Sequence, residues 1–222
     1  MPTAPHATLL LTRPLPDSQR IAAMLPDWPA VIAPILRIEP VPHDAAILQA
    51  APGLVFTSGH AVASAGPGRG RLALCVGPRT GELARAAGFD VREGDGFAES
   101  LLPLIATADR PLIHPHGRHL ARRLPVPGVV VYDQLPQPLT PQALELLSRP
   151  APVVLPLFSP RSARLLAQAV AGAVAPLWVV AISDAALAAF GAPAARTVVA
   201  SRPEASALVA AITQIARAEQ SG

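Results

Sequence analysis

The sequence alternates short apolar runs with alanine- and leucine-rich segments of helical spacing, and this alternation recurs seven times along 222 residues. Nearly every apolar run ends in a turn of polar residues or glycine. Strands that alternate with helices of about 10 to 15 residues form parallel sheets of the doubly wound type. We therefore predict an α/β fold with a helix after each strand end, the strand ends being residues 10–14, 55–59, 75–80, 113–118, 157–162, 180–184 and 199–203.

Two proline-rich segments interrupt the alternation. Residues 26–42 and 125–141 contain five prolines each, and each segment holds one strand-like run, at 35–38 and 129–133, that no helix immediately follows. We interpret the two segments as connectors between two lobes with a cleft between them. The predicted parts are a first lobe of residues 1–34 and 137–222, an inserted second lobe of residues 43–128, and connector strands 35–42 and 129–136.

A faint internal repeat favours two lobes of related structure. In both copies a polar strand end is followed by a helix, a strand, a second polar turn, a second helix and a glycine. The corresponding segments are 56–58, 76–77 and Gly88 in one copy, and 158–159, 182–183 and Gly191 in the other.

All 18 basic residues are arginines, although the net charge is only +3. The absence of lysine excludes Schiff-base catalysis, a P-loop lysine and a lysine general base. A guanidinium is permanently charged and binds carboxylates or phosphates through two parallel hydrogen bonds, so we expect an anionic small molecule as the ligand. Nucleic acid is disfavoured, because 15 acidic residues are interspersed with the arginines and aromatic residues make up only 4% of the chain.

Cysteine content and hydropathy indicate the compartment. Cys75 is the only cysteine, so an internal disulfide and a cysteine-rich zinc site are excluded. No apolar run reaches the roughly 18 to 20 residues that cross a bilayer, and the N-terminal residues lack the pattern of an export signal. We therefore expect a cytoplasmic protein that has no membrane contact and acts as a monomer.

Three histidines form an HxHxxH cluster at His114, His116 and His119. The first two would share one face of a strand if Pro115 did not disturb it. The motif contains no dedicated carboxylate and no cysteine lies nearby, so we expect no metal site and favour a surface or anion-contacting role.

The strand ends are the places where ligand chemistry is expected. Ligands of open parallel sheets bind beyond the carboxyl ends of the strands, where helix N-termini present unpaired N–H groups. Serine, threonine, glycine and arginine occupy these turns, which suits a ligand with several carboxylates. For any single serine or threonine, an ordinary helix N-cap is the favoured interpretation, and only the number of such turns favours binding.

Tyr132 is the only tyrosine and lies in the second connector, where its hydroxyl would face the predicted cleft. A phenol can donate a proton or a hydrogen bond to a departing oxygen. The alternative is a packed aromatic ring with a solvated hydroxyl, and residue chemistry alone favours that alternative.

The strand-end segments, taken together, resemble a known family. They read LLLTRP at 9–14, LVFTS at 54–58, VGPRT at 76–80 followed by Leu83 and 87–88, GR at 117–118, VY at 131–132, FSPRS at 158–162, AIS at 181–183 and RP at 202–203. In order, spacing and two-lobed arrangement, the chain resembles the uroporphyrinogen-III synthases over almost its whole length.

This resemblance implies two flavodoxin-like α/β lobes with parallel sheets, joined by a two-stranded connector, with the substrate between them. It also implies a cofactor-independent lyase of tetrapyrrole biosynthesis that acts on hydroxymethylbilane, a linear tetrapyrrole with eight carboxylates. The family's reaction loses the terminal hydroxyl as water to give an azafulvene cation. Ring D then attacks through its substituted carbon, and the spiro intermediate rearranges to uroporphyrinogen III.

The resemblance also implies roles for individual residues. Tyr132 matches the connector tyrosine of the family, the candidate that assists departure of the hydroxyl. The expected substrate-binding residues are Arg13, Ser58, Thr80, Arg118 and Ser159.

One turn departs from the family pattern. Family members commonly have a glycine followed by two threonines where this chain has Ser183-Asp184-Ala185-Ala186. Ser183 is the expected replacement for the missing hydroxyls, whereas Asp184 would repel a carboxylate unless it caps its helix and points away.

Two other functions stay open at this stage. A diverged family member would bind a tetrapyrrole without converting it, and the altered turn at Ser183 favours that alternative. An anion-binding or sensor module would share only the fold, because a fold does not determine a function. The isomer formed from hydroxymethylbilane distinguishes a synthase from both.

Overall fold

The structure is a computed structural model that describes residues 7–120 and 122–220, with side chains described as far as residue 215. The N-terminal residues 1–6, on which the expectation about an export signal depends, lie outside the described residues. The chain divides into two units, one formed up to Arg37 and from Pro136 onward, the other formed by Ile38–Leu135. In the described part of the chain, no helix has the length and apolarity that a membrane span requires.

The helices and strands alternate along most of the chain. In chain order they are β1 (Thr8–Leu11), α1 (Leu15–Ala23), β2 (Ala30–Ile32), β3 (Leu36–Pro40), α2 (Ala45–Ala50), β4 (Gly53–Phe56), β5 (Leu72–Cys75), α3 (Pro78–Ala86), β6 (Asp90–Glu93), α4 (Leu102–Ala106), β7 (Leu112–Gly117), β8 (Gly128–Pro136), α5 (Pro141–Ser148), β9 (Val153–Leu157), α6 (Pro160–Ala169), β10 (Leu177–Ala181), α7 (Asp184–Phe190), β11 (Arg196–Val199) and α8 (Ala205–Gln220). Two 3₁₀ helices, Gly59–Ala65 and Ala98–Leu101, complete the list.

The first unit contains a five-stranded sheet in the order β2-β1-β9-β10-β11, and all of its strand pairs are parallel. Numbered within the unit, this is the flavodoxin-like order 2-1-3-4-5. Strands β9 and β10 are buried along their whole length, because both faces of the sheet are covered. One apolar cluster includes Leu155, Val179 and Phe190, and a second includes Leu9, Val180 and Leu208.

The second unit contains a six-stranded sheet in the order β3-β8-β7-β4-β5-β6. The pairs from β8 to β6 are parallel. Numbered from β4, these five strands have the order 3-2-1-4-5, which is another doubly wound arrangement. The predicted α/β class with parallel sheets is therefore confirmed for both units.

Proline helps to set where the helices begin. Helices α1, α3, α4, α5 and α6 each have a proline in one of their first two positions. A proline there has a preorganised φ angle and lacks only an N–H that would have no partner inside the helix. Of the ten prolines in the two proline-rich segments, however, only Pro141 starts a helix in this way.

Three details of the predicted organisation are wrong. No helix follows the strand end at 113–118, because residues 118–120 and 122–127 lead without one from β7 to β8. Helices do follow the connector strands, since α2 and α5 begin five residues beyond β3 and β8. The first proline-rich segment holds two strands, β2 and β3, where one was expected. Short strands between prolines give too few alternating residues for a reliable pattern.

Candidate functional site

Three predicted binding residues lie at one edge of the first unit's sheet. Arg13, Ser159 and Ser183 follow β1, β9 and β10, which are neighbouring parallel strands. Because parallel strands end at the same edge, the three residues lie side by side beyond it. We call this set the first rim.

Four more predicted site residues lie at the corresponding edge of the second unit's sheet. Ser58 follows β4, Thr80 lies in the first turn of the helix after β5, Arg118 follows β7, and Tyr132 lies within β8. These four strands are neighbours in the order β8-β7-β4-β5. We call this set the second rim.

The three rim serines cap helices. Each has an extended backbone, with φ of −155° at Ser58 and −161° at Ser159 and Ser183. Their Oγ atoms accept hydrogen bonds from the N–H groups of His60, Ser162 and Ala186 at 3.3, 3.2 and 3.3 Å. The N-cap interpretation is therefore confirmed, and binding of a ligand by the same hydroxyls stays a prediction.

Thr80 occupies the first turn of α3 and is 6% exposed. The helix begins after Gly77, whose extended backbone provides no capping side chain. The first turn of a helix presents N–H groups that lack partners within the helix. This turn therefore contains backbone N–H groups that have no partner within the helix, and Thr80 is buried in it.

Arg13 is held at the first rim by two neighbours. Its guanidinium lies 4.5 Å from the ring centre of Phe158, and its Nη2 donates to Asp17 Oδ2 at 3.0 Å. Asp17 also accepts from Arg20 at 2.7 Å. Since the Arg13 side chain keeps 35% exposure, it is positioned by the protein and still accessible to a ligand.

Arg118 is held at the second rim by Asp133. The Arg118 Nε donates to Asp133 Oδ2 at 2.9 Å, and His119 Nε2 lies 3.4 Å from Asp133 Oδ1. The Gln134 N–H also donates to Asp133 Oδ1, at 2.7 Å. Desolvation raises the pKa of the Asp133 carboxyl, but the hydrogen bonds from Gln134 and Arg118 and the charges of Arg118 and His119 hold that pKa below its ordinary value.

Tyr132 is a packed residue at the second rim. Its side chain is 6% exposed, and its ring lies over Gly117 on the neighbouring strand, where a Cβ atom would come within 2.5 Å of it. The ring of His60 meets it edge to face, with 5.8 Å between ring centres. The packed-aromatic interpretation therefore describes its surroundings, and its catalytic role stays a prediction.

The histidine cluster separates into two parts. His114 and His116 do share a face of β7, with ring centres 4.9 Å apart, and His119 lies beyond the strand. His114 is 2% exposed and contacts Thr57 Oγ1 through Nε2 at 2.9 Å. Burial, with a smaller effect of His116, lowers the pKa of His114 to about 4. Among residues 7–120 and 122–215, no three histidine, cysteine or acidic side chains converge as metal ligands.

Two other titratable side chains, those of Cys75 and Asp184, lie near the rims. Burial, reinforced by Glu93, raises the pKa of Cys75 to about 12, so the only thiol of the sequence stays protonated at neutral pH. Asp184 is exposed and is the first residue of α7, where an acidic side chain interacts favourably with the helix dipole. Ser183, not Asp184, provides the cap.

Three residues that orient predicted site residues were not themselves predicted from the sequence. Asp133 holds Arg118, Phe158 stacks on Arg13, and His60 packs on Tyr132. Asp133 and Phe158 each adjoin a predicted site residue in sequence, which is the signal that was available. His60 had no comparable signal, because its contact depends on how β4 and β8 are arranged in the sheet.

Known proteins resemble this chain both in sequence and in fold. A sequence model of the family described as uroporphyrinogen-III synthase HemD matches residues 27–210. The fold is similar to that of the uroporphyrinogen-III synthetase from Helicobacter pylori, with a TM-score of 0.63, 14% identity, and coverage of 94% of this chain and 99% of that one. It is also similar to a mutant uroporphyrinogen III synthase from Thermus thermophilus, with a TM-score of 0.52, 18% identity, and coverage of 97% and 100%. No curated protein sequence gives a significant match.

Proposed function

Because this chain belongs to the uroporphyrinogen-III synthase family, we propose that it converts hydroxymethylbilane into uroporphyrinogen III, with loss of water and inversion of ring D. In this proposal the protein is a lyase that needs no cofactor. The observation that carries the proposal is the presence, in each unit, of a rim that combines arginine with helix N-termini at the carboxyl ends of neighbouring strands.

The rims suit the charge of the proposed substrate. Eight carboxylates need many donors, and a helix N-terminus supplies backbone N–H groups with a favourable dipole. Arg13 and Arg118 add permanent positive charge at one edge of each sheet. The proposed binding residues are therefore Arg13 with Ser159 and Ser183 on the first rim, and Arg118 with Ser58 and Thr80 on the second.

The proposed catalytic residue is Tyr132. Its phenol would donate to the departing hydroxyl, so that water leaves and the azafulvene cation forms. A ring that is 6% exposed has a fixed position, and a fixed donor needs little reorganisation when charge develops on the leaving oxygen. Support for this role comes from the position of Tyr132 next to Arg118, whose N–H donates to the Tyr132 carbonyl at 2.9 Å.

The more demanding part of the proposed reaction is the choice between the two isomers. Free hydroxymethylbilane closes unaided to the symmetric isomer I, so the protein must favour attack through the substituted carbon of ring D. Binding several carboxylates at once restricts the bilane to few conformations, which selects one near-attack arrangement over its competitor. Selectivity between isomers is therefore the property to measure.

The test is to add freshly prepared hydroxymethylbilane to the purified protein and to separate the oxidised products by isomer. We expect isomer III to form faster than isomer I forms in buffer alone. Heat-denatured protein is the control for nonspecific effects of an arginine-rich chain on ring closure. Isomer I alone, at the rate of the buffer control, rejects the proposed reaction. Tight binding of a porphyrin without turnover would then favour a diverged binding protein, for which the altered turn Ser183-Asp184-Ala185-Ala186 is the supporting observation.

A further inference from the structure

Arg118 and His119 converge on one partly buried carboxylate, that of Asp133, at the second rim. The Asp133 side chain is 16% exposed, whereas those of Arg118 and His119 are 58% and 43% exposed. The carboxylate thus lies beneath, and the arginine and histidine side chains lie at the surface. Asp133 directly follows Tyr132, so this cluster is adjacent to the proposed catalytic residue.

We infer that Asp133 is a positioning residue for a carboxylate subsite: it fixes Arg118, with His119 beside it, at the carboxyl end of β7 next to Tyr132. The inference rests on the proposed function and deepens it, because it assigns the binding of one substrate carboxylate to a defined cluster. Nothing in the proposed reaction itself requires an acidic residue at this point of the rim.

The direction of the Arg118–Asp133 bond supports a role in binding. Asp133 accepts from Nε of Arg118, and among the described residues Arg118 makes no other side-chain hydrogen bond. The paired terminal Nη1 and Nη2 groups form the end of the guanidinium that binds a carboxylate through two parallel bonds. An arginine anchored through Nε loses little further side-chain entropy when an anion binds to its other end.

The aspartate–arginine pair formed by Asp109 and Arg110 has the opposite order of burial. Asp109 accepts from both Nε and Nη2 of Arg110, at 2.7 and 2.9 Å, before the amino-terminal end of β7. There the aspartate is 70% exposed and the arginine 41%, so the order of burial is reversed. In addition, Asp133 accepts from the Gln134 N–H, which fixes the carboxylate itself.

The alternative is that Asp133 merely repels an anionic ligand or forms a surface ion pair of no consequence. A repelling carboxylate would weaken binding, and its neutralisation would improve affinity. A structural ion pair of this exposure contributes little to stability and nothing to ligand affinity. Binding measurements therefore separate the three cases.

The test is a double-mutant cycle read out by equilibrium binding of uroporphyrin III, an octacarboxylic porphyrin, followed by its fluorescence. We expect Asp133→Asn to raise the dissociation constant about 5-fold and Arg118→Ala to raise it about 10-fold. The double variant should match Arg118→Ala within about 2-fold, because Asp133 acts through Arg118. Asp109→Asn is the matched control and should leave the dissociation constant unchanged.

Each outcome bears on the inference. Additive effects of the two substitutions, or tighter binding by Asp133→Asn, overturn it. Thermal unfolding of each variant is measured alongside, and Asp133→Glu, which keeps the charge, should restore at least part of the affinity. The readout is binding and does not require turnover. If the protein binds the porphyrin with the expected coupling but forms no isomer III, that result rejects the proposed reaction and supports the subsite.

Discussion

Tyr132 combines two properties that a proton donor would need in the proposed reaction. Its ring is fixed between Gly117 and His60, and its backbone pairs with the strand that carries Arg118. We predict that Tyr132→Phe lowers kcat about 10- to 100-fold and leaves the product as isomer III, because the hydroxyl assists ionisation whereas carboxylate binding sets direction. Single-turnover kinetics with isomer analysis check this.

The control for Tyr132→Phe is thermal unfolding. Phenylalanine keeps the ring packed, so a large loss of stability would mean that the hydroxyl has a structural partner. An unchanged kcat contradicts the catalytic role and leaves Tyr132 as a packed aromatic.

His114 makes the stability of the protein depend on pH. Its folded pKa of about 4 lies below the ordinary value of 6.5, so between these values the unfolded chain binds a proton that the folded chain does not. Stability is therefore complete above pH 6.5 and is lost as the pH falls toward 4, by up to about 1.4 kcal/mol per pH unit from this group.

We predict that His114→Gln removes this part of the pH dependence. The glutamine cannot take up the proton, so the difference in free energy of unfolding between wild type and variant should shrink from about pH 7 to about pH 4.5. Urea unfolding at several pH values across this range measures it. The control for loss of a histidine is His43→Gln, at a partly buried histidine that contacts the Val41 carbonyl. A difference that stays constant over this range would refute the assignment.

The β7–β8 pair places the polar side chains of the second rim. Its register shifts between His116 and Gly117, and Gly117 pairs with Tyr132. Such an irregularity changes the direction in which the following side chains point. Gly117 is needed there because the Tyr132 ring occupies the space of its missing side chain, with contacts of 2.5 and 2.6 Å from an ideal Cβ atom.

We therefore predict that Gly117→Ala displaces Tyr132. The variant should lose about 1 to 3 kcal/mol of stability, the usual cost of overpacking, and its kcat should fall at least as far as that of Tyr132→Phe. Gly172→Ala is the matched control, because no atom lies within 4 Å of an added Cβ there. If both alanine variants keep full activity, the position of the Tyr132 ring is irrelevant to turnover.

The elements that the sequence predicted well are those with strong periodicity. Strands β4, β5, β9 and β10 are apolar along their length and end in polar turns, and these are the elements that define the fold class and the family resemblance, both of which are confirmed. Strand β2 has three residues between prolines and left no periodic signal. The missing helix after β7 could not be foreseen, because Gly117-Arg118 resembles the turns that do precede helices.

The site residues were predictable only where a polar or charged side chain stands at the end of a strand. Serines at the ends of β4 and β9 are recognisable from position, and the structure shows their helix caps. The position of Asp133 next to Tyr132 was a signal, but its role was not recognisable from that position alone, because the role depends on the contact with Arg118 across two strands. Pairings between strands are long-range contacts, and a single sequence does not show which strands pair or in which register.

The chain contains 18 arginines and no lysine, and this composition affects the whole molecule. Some arginines are structural: Arg71 donates to six backbone carbonyls, including those of Leu48 and Ala65, and stacks on Phe89 at 5.1 Å. Others, such as Arg13 and Arg118, are partly exposed at the rims. A planar guanidinium serves both purposes, whereas an ammonium lacks the donors for the first.

Chemical modification tests whether exposed arginines carry the affinity for a polyanion. We predict that phenylglyoxal, which modifies arginine, inactivates the protein, and that uroporphyrin III slows inactivation several-fold by covering the rims. Arg71 should react more slowly than Arg118, because its guanidinium is occupied by backbone carbonyls, and peptide mapping by mass spectrometry measures both. An amine-acylating reagent should leave activity intact, since the chain has no lysine side chain. Inactivation without protection by the porphyrin would place the sensitive arginines away from the ligand and count against both rims.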